Sequence, residues 1–461
     1  MSTLEQVEVM DKYQPYLEYK ESGIAWLRGI PVDWDKLTLK YALERTITDG
    51  PHETPVFIDQ GVPFMSVDSI QNNQLVFDGC RYISKEDHKR FAKKCLPKRG
   101  DLLLGKAASV GKIAHVTTDQ EFNVWSPLAV IRVNPNKYDS RFLYYCFQSL
   151  LLQYQCQIKS NSNTQANLGM GDISNLQFVA PTLLLQRTIA AFLDYETARI
   201  DRLIAQQQRL IELLKEKRQA VISHAVTKGI NPDAPMKESG VEWLGQVPEH
   251  WSSTRIGWCC QIGNGCTPSR DKPEYWSEGT YPWLNSSKVN DLEIVAADQF
   301  VTKTALSACS LPIVPAGSIV MAITGEGKTR GSVAITFIEA TLSQHLSFMT
   351  VTSCNVLPDY LLLWLESQYQ KIRFESEGWG STKAAITCSD IKAYPLPEPP
   401  LDEQLRIVNY VKEKKLRFGK LIERSEYMVT QLRDRRTALI SAAVTGKIDL
   451  RGWTQPGEVA A

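Results

Sequence analysis

The segment of this chain nearest to a chemical motif is Ala322-Ile-Thr-Gly-Glu-Gly327-Lys328-Thr329. It almost fits the glycine loop that cradles phosphate, with Ala in place of the first Gly, and it follows a strand-like run. Such a loop has to open a helix whose N-terminal amides hold the phosphate. Here Arg330-Gly-Ser-Val-Ala-Ile335 reads as turn and strand, so a P-loop-like NTPase is a minor alternative. Adenine methyl transfer would need a cofactor-binding glycine turn and an aromatic-bearing Asn/Asp-Pro-Pro loop. Asn134-Pro-Asn and Asn231-Pro-Asp lack the second Pro and the aromatic. The six histidines stand singly, and His115 and His345 read as structural residues rather than ligands. No acidic cluster suggests a metal. The chain does not read as an enzyme, and no cofactor or metal is expected on it.

What the residues offer instead is a surface for nucleic acid. Between Arg81 and Lys112 ten basic residues stand against Glu86, Asp87 and Asp101, a local charge of +7. Lys85, Lys89 and Lys93, with Arg90, are spaced for one face of a short helix. Lys106, Ser109 and Lys112 follow in a glycine-bearing loop. A surface of this kind holds DNA phosphates without reading sequence. Polar loops suited to base edges accompany it: His52, Thr54 and Gln60, then Asn163, Thr164 and Gln165. The second half offers Thr267, Ser269, Arg270, Lys272, Lys328, Arg330, Thr382 and Lys383.

These loops hang on a frame that the chain makes twice. Gln186–Thr227 recurs as Gln404–Thr445 at an ungapped offset of 218, as in Arg218 and Arg436 or Ser223 and Ser441. Neither copy has an internal proline, each follows prolines, and each stops near a glycine, which is helix punctuation. Ile200, Ile204, Gln207, Ile211, Leu214 and Arg218 form a 4-3-4-3 seam, matched by Phe418, Ile422, Ser425, Val429, Leu432 and Arg436. A sustained seam predicts a coiled-coil pair, each helix roughly 60 Å long. Lys20-Glu-Ser-Gly…Trp34 recurs as Lys237-Glu-Ser-Gly…Trp251, so the repeat includes the globular segments as well. Residues 65–99 nevertheless bear little likeness to 285–316. Two domains with one frame and different loops suggest two things read by one method. Tandem like units favour a closed pseudo-two-fold arrangement with antiparallel helices.

Composition sets only outer bounds. The chain has 461 residues and a net charge of +1, so any basic face is local. Ten scattered cysteines without a CxxC pair predict reduced thiols and a cytoplasmic protein. The charged start is no signal peptide, and no apolar run approaches a membrane span. The predicted organisation is an extension at 1–19, a domain at 20–182, a helix at 183–228 and a linker at 229–236. A second domain at 237–400, a second helix at 401–446 and a tail at 447–461 complete it.

Three features together resemble the specificity subunit of type I restriction-modification systems. They are the Lys-Glu-Ser-Gly-x-x-Trp-Leu…Pro-x-x-Trp entry, Gly263-x-x-x-Thr-Pro268 with Tyr281-Pro-Trp-Leu284, and the Gln-x-x-Ile…Arg-x-Ala-x-Ile-Ser-x-Ala-Val-Thr helices. The likeness covers nearly the whole chain. Its one departure is Gly50-Pro-His-Glu-Thr-Pro55, which differs from the second domain's entry. The resemblance implies an α+β chain with two tandem, pseudo-two-fold-related target-recognition domains. Each domain is followed by a long helix, and the helices pack as an antiparallel coiled coil. It implies that each domain reads half of a bipartite, asymmetric double-stranded DNA site while the helices set the spacer. It further implies two modification subunits that methylate adenine and two restriction subunits, with S-adenosylmethionine, ATP and Mg2+ on those partners. The alternative of a different class is a stand-alone sequence-specific DNA-binding protein.

Overall fold

The computed structural model describes residues 13–160, 166–325, 327–377 and 384–456. It divides into two compact units, 1–208 with 426–461 and 209–425, so the division falls within both long helices.

Unit 1 opens with a hairpin, Tyr19–Ile24 against Leu27–Pro31. A turn closed by the Trp34 amide on the Pro31 carbonyl at 3.0 Å then buries Trp34 completely. Strand Asp35–Thr38 pairs antiparallel with Gln177–Ala180, which leads into the first long helix. The central sheet has the order Ile113–His115, Leu102–Gly105, Leu128–Ile131, Thr48–Asp49, all antiparallel. Leu102, Leu103 and Leu104 are all buried because both faces of this sheet are covered. Alternation sends Leu102, Leu104 and Ile113 into the larger core with helix Ser140–Gln148 and the long helices. Leu103, Ala114 and Val130 face a second core beneath the loops. A three-stranded sheet, Asn123–Val124, Val62–Met65 and Arg81–Ile83, carries those loops.

Unit 2 repeats the main strands of this plan. Its hairpin is Met236–Glu238 against Gln246–Pro248, and Trp251 is buried by the same turn on Pro248. Cys260–Asn264, Leu346–Val351, Ile319–Ala322 and Val333–Thr336 form the central sheet, extended by Glu293–Ile294. Gln299–Val301, Tyr281–Leu284 and Thr341–Leu342 form the three-stranded sheet. Even the dissimilar stretches share the frame. Ser84 caps helix Lys85–Ala92 after one strand, and Thr302 caps helix Lys303–Ala308 after its counterpart.

The long helices are Leu183–Lys228 and Leu401–Val444. The repeated glutamine anchors each start. Gln186 donates to the Pro181 carbonyl at 2.9 Å and accepts the Asp139 amide at 2.9 Å. Gln404 likewise donates to the Pro399 carbonyl and accepts the Leu357 amide, both at 2.8 Å. The seam is the shielded stripe of both helices: Ile200, Ile211, Ile422, Ser425 and Val429 are buried. Ile204, Gln207, Leu214, Arg218, Phe418, Leu432 and Arg436 are half-buried. In unit 1 Arg436 donates to Asp201 at 2.9 Å, while the earlier Phe192 meets the later Trp453 edge-on, with ring centroids 5.5 Å apart. In unit 2 Ile222, Ala225 and Val226, near the end of the first helix, share a core with Ile407, Val408 and Val411, near the start of the second. The pairing is antiparallel in each.

The described parts of the stretches expected as extension and tail, residues 13–19 and 447–456, belong to the body of unit 1. Tyr16 packs edge-on against Trp34, and Ile448 and Leu450 are buried. The Asp449 amide donates to the Gln14 carbonyl at 2.7 Å. Apolar residues inside otherwise polar segments account for this.

Candidate nucleic-acid interface

In each unit a strap leaves the central sheet at a glycine that tolerates no side chain. A Cβ on Gly50 would lie 1.7 Å from the Val124 carbonyl oxygen, and one on Gly265 would lie 2.0 Å from that of Leu342. Val124 and Leu342 occupy equivalent strands, so Gly50 and Gly265 are the structurally matched entries despite their different surroundings.

In unit 1 the strap carries exposed His52, Thr54 and Gln60 and lies against the basic helix. Arg90 pairs with Glu53 at 3.1 Å and with Asp87 at 2.6 Å. Lys94 reaches the Asp49 carboxylate and the Gly50 carbonyl, both at 2.7 Å. Burial of Asp49 opposes its charge, but the ammonium groups of Lys94 and Lys106 outweigh that and hold its carboxyl below the ordinary value. Lys85, Lys89 and Lys93 remain exposed on the helix. Lys106, expected as a surface cation, is instead half-buried on Asp49 at 3.2 Å, because an acidic strand end lies beneath it. Half-buried Ser109 and exposed Lys112 lie in the loop that Gln153 braces through the Gly111 carbonyl at 2.9 Å. Asn163, Thr164 and Gln165 lie outside the described residues. Their neighbour Ala166 accepts the Ala108 amide in that same loop at 3.2 Å.

Unit 2 fills the equivalent place differently. Arg270 lies 3.6 Å from the Trp276 ring and 5.2 Å from Trp283, and donates to Gln299 at 2.6 Å. The two indoles are pinned in turn, Trp276 to the Ser269 carbonyl at 3.0 Å and Trp283 to that of Cys266 at 3.2 Å. Lys272 donates to the Tyr275 hydroxyl at 3.3 Å. Thr267 donates to Gln344, whose amide meets His345 at 3.2 Å, and the other ring nitrogen of His345 meets Thr324 at 2.7 Å. Gln344 and His345 are exposed. This connected polar row draws on three segments distant in sequence. Sequence reasoning missed Gln344 and Thr324 and set His345 aside, since no spacing links them.

Within the glycine loop after Ile319–Ala322, residues 328–331 form turns that lead into strand Val333–Thr336. No helix follows to hold a phosphate there. Lys328 is exposed. Arg330, expected on the surface, is 2% exposed. Its guanidinium turns inward toward the carbonyls of Gly325 and Arg373, at 3.5 and 3.4 Å, so it cannot face a ligand in solvent. Thr382 and Lys383 lie outside the described residues. Among the described residues no group of three or more His, Cys, Asp or Glu could hold a metal ion, and no helix is long and apolar enough to cross a membrane.

Residues 53–213 and 248–415 match the family model of the type I restriction modification DNA specificity domain. A relative in Methanocaldococcus jannaschii, provisionally assigned as the type I restriction enzyme MjaX specificity subunit, is 24% identical over 445 residues. The match covers 94% of this chain and 98% of the relative. The EcoR124I/EcoR124II specificity subunit of Escherichia coli is 26% identical over 176 residues, 37% of this chain and 40% of the relative. Among solved structures, a chain from work on complex assembly and conformational transition of the type I R-M system shares the fold with a TM-score of 0.69. It is 17% identical, with 91% of this chain and 99% of that chain covered. The HsdS subunit from Thermoanaerobacter tengcongensis gives 0.52 at 18% identity, covering 91% and 98%.

Proposed function

This chain belongs to the type I restriction modification DNA specificity family, and on that premise we propose that its two domains read the two halves of a split, asymmetric DNA site. One observation carries the reading. Straps seated on matched glycines present unlike surfaces: a lysine-bearing helix with His52 and Thr54 in one unit, and the Thr267, Gln344, His345, Thr324 row beside Arg270 in the other. Phosphate contacts from Lys85, Lys89 and Lys93 would position the first domain, and polar side chains on the straps would meet base edges.

The chain itself contributes recognition and no catalysis. Two modification subunits bring S-adenosylmethionine and methylate adenine, and two restriction subunits bring ATP- and Mg2+-dependent cleavage, all in the cytoplasm. Leu203, Leu210, Leu213, Leu416, Leu421 and Met428 are exposed on the long helices. Apolar residues exposed in such number on two helices suit docking of partner subunits. The helices also set the spacer, a duplex turn being about 34 Å.

The test is co-expression with the neighbouring modification subunit and mapping of N6-methyladenine across the host genome. A motif of two short defined halves around a fixed gap is expected. Absence of new methylation beside an active modification subunit would sink this reading in favour of a stand-alone binder. Inserting one matched heptad into each long helix should lengthen the gap and leave both halves unchanged.

A further inference from the structure

Tandem halves with one frame run a specific risk, since a domain can dock on the helix of its twin, and misassembly of this kind is characteristic of repeat proteins. The contacts between each domain and its own helix show how this chain meets it.

In unit 1 the domain supplies the cation. Arg141, on helix Ser140–Gln148, donates to Asp194 of the first long helix at 2.7 Å. It lies over Tyr144 and Tyr145, 4.6 and 5.3 Å from the ring centroids. Tyr145 donates to the same carboxylate at 2.6 Å and hydrogen-bonds Thr197 at 3.2 Å. Gln148, one turn-pair further along, is uncharged and accepts from Arg436 at 3.1 Å.

In unit 2 the domain supplies the anions. Asp359, on helix Pro358–Ser367, accepts from Lys412 of the second long helix at 3.0 Å. Glu366, on the same helix, accepts from Lys415. These positions correspond one to one at the repeat offset of 218: Arg141 with Asp359, Asp194 with Lys412, Gln148 with Glu366, and Thr197 with Lys415. At the first of these pairs the repeat conserves the contact and reverses its polarity, and at the second only the later unit has an ion pair.

We propose that this reversal assigns each recognition domain to its own long helix. A domain in the wrong position meets like charge: Arg141 would face Lys412, and Asp359 would face Asp194. Tyr145 would lose its carboxylate, and Gln148 in the place of Glu366 would leave Lys415 without its anion. Specificity of this kind comes from the repulsive alternative as much as from the attractive pair. The first position therefore accepts a domain with a cation at the place of Arg141, and at that of Gln148 any acceptor for Arg436 serves. The second accepts one with anions at both. The order of the two domains along the chain is thereby fixed by charge as well as by connectivity.

The test exchanges segments 20–182 and 237–400 in the full chain. A second exchanged chain also carries Arg141→Asp and Gln148→Glu in one segment, and Asp359→Arg in the other, so that each domain matches its new helix. Soluble yield and thermal midpoint are compared. The matched chain should melt higher by about 2–4 °C or more, and equal midpoints would overturn the proposal. If neither exchanged chain folds, the decision passes to the native order with Asp359→Lys, Lys412→Asp and both together. Each single change should lower the midpoint of unit 2 and the pair should recover most of the loss. Losses that simply add would overturn it.

Discussion

His115 should make unit 1 lose stability in mild acid. Its ring sits at the end of a central strand, with Nε2 3.0 Å from the Ser140 hydroxyl. Nδ1 is buried without a partner among the described residues. Burial, reinforced by the charge of Arg141, pushes the imidazole down from 6.5 to about 4. Between these values the unfolded chain takes up a proton that the native protein refuses. Stability from the neutral ring is thus complete above about pH 6.5 and is lost as pH falls toward 4. Going from about pH 7.5 to about pH 5 should remove about 2 kcal/mol through this residue alone. The repeat supplies the control. Ile335 pairs with Ile319 where His115 pairs with Leu102, so this frame already accepts isoleucine there. Urea unfolding of the parent and of His115→Ile at both pH values isolates the effect, because other titrating groups cancel in the difference. The advantage of His115→Ile should grow by about 2 kcal/mol on acidification. An advantage of the same size at both pH values would refute a buried neutral histidine.

Three further outcomes can be measured by the same unfolding assay. Gly419 lies inside the second long helix with open space where a Cβ would point, so Gly419→Ala should stabilise unit 2 by about 0.5–1 kcal/mol; no gain would mean that the helix is not continuous there. Gly50→Ala should destabilise unit 1 by at least about 1–3 kcal/mol, since the methyl group meets the Val124 carbonyl, and an unaffected midpoint would disprove the close seat. Asp101 is almost fully buried and accepts two bonds from Arg132 at 2.6 and 2.7 Å, so Asp101→Ala should cost about 3–5 kcal/mol by leaving that guanidinium unpaired. A loss below about 1 kcal/mol would show that water replaces the carboxylate.

The frame was legible because each of its parts is written twice. Gln186 and Gln404 anchor the two helices through matching bonds, and the seam residues are the ones shielded on both. Residues 65–99 and 285–316 hid their common plan because little is retained beyond small signals such as Ser84 and Thr302, whose oxygens cap the following helices. The candidate interface was less legible. A lysine count cannot tell Lys89, which is exposed, from Lys106, which Asp49 holds, since Asp49 is far away in sequence. Arg330 looked like a loop cation, but the carbonyls that receive it come from its own loop and from Arg373 on a distant helix. Thr267, Gln344, His345 and Thr324 meet only once two loops and the strap fold together.

This division has a physical consequence for how such a chain can change what it recognises. Frame residues are buried or bonded to backbone, so replacing them leaves cavities or unpaired groups, with costs of several kcal/mol. The strap residues His52, Thr54 and Gln60, and Gln344 in the other unit, are exposed. Exposed positions away from such contacts usually alter stability by no more than about 0.5 kcal/mol. Two supports limit that freedom. Asp49 ties Lys94 and Lys106 together under the first strap, and Trp276 and Trp283 hold Arg270 beside the second. Changes beyond these supports can alter the reading surface while leaving its position on the sheet unchanged. Changes within them move the strap itself, and the glycine beneath it leaves no room for the strap to settle elsewhere.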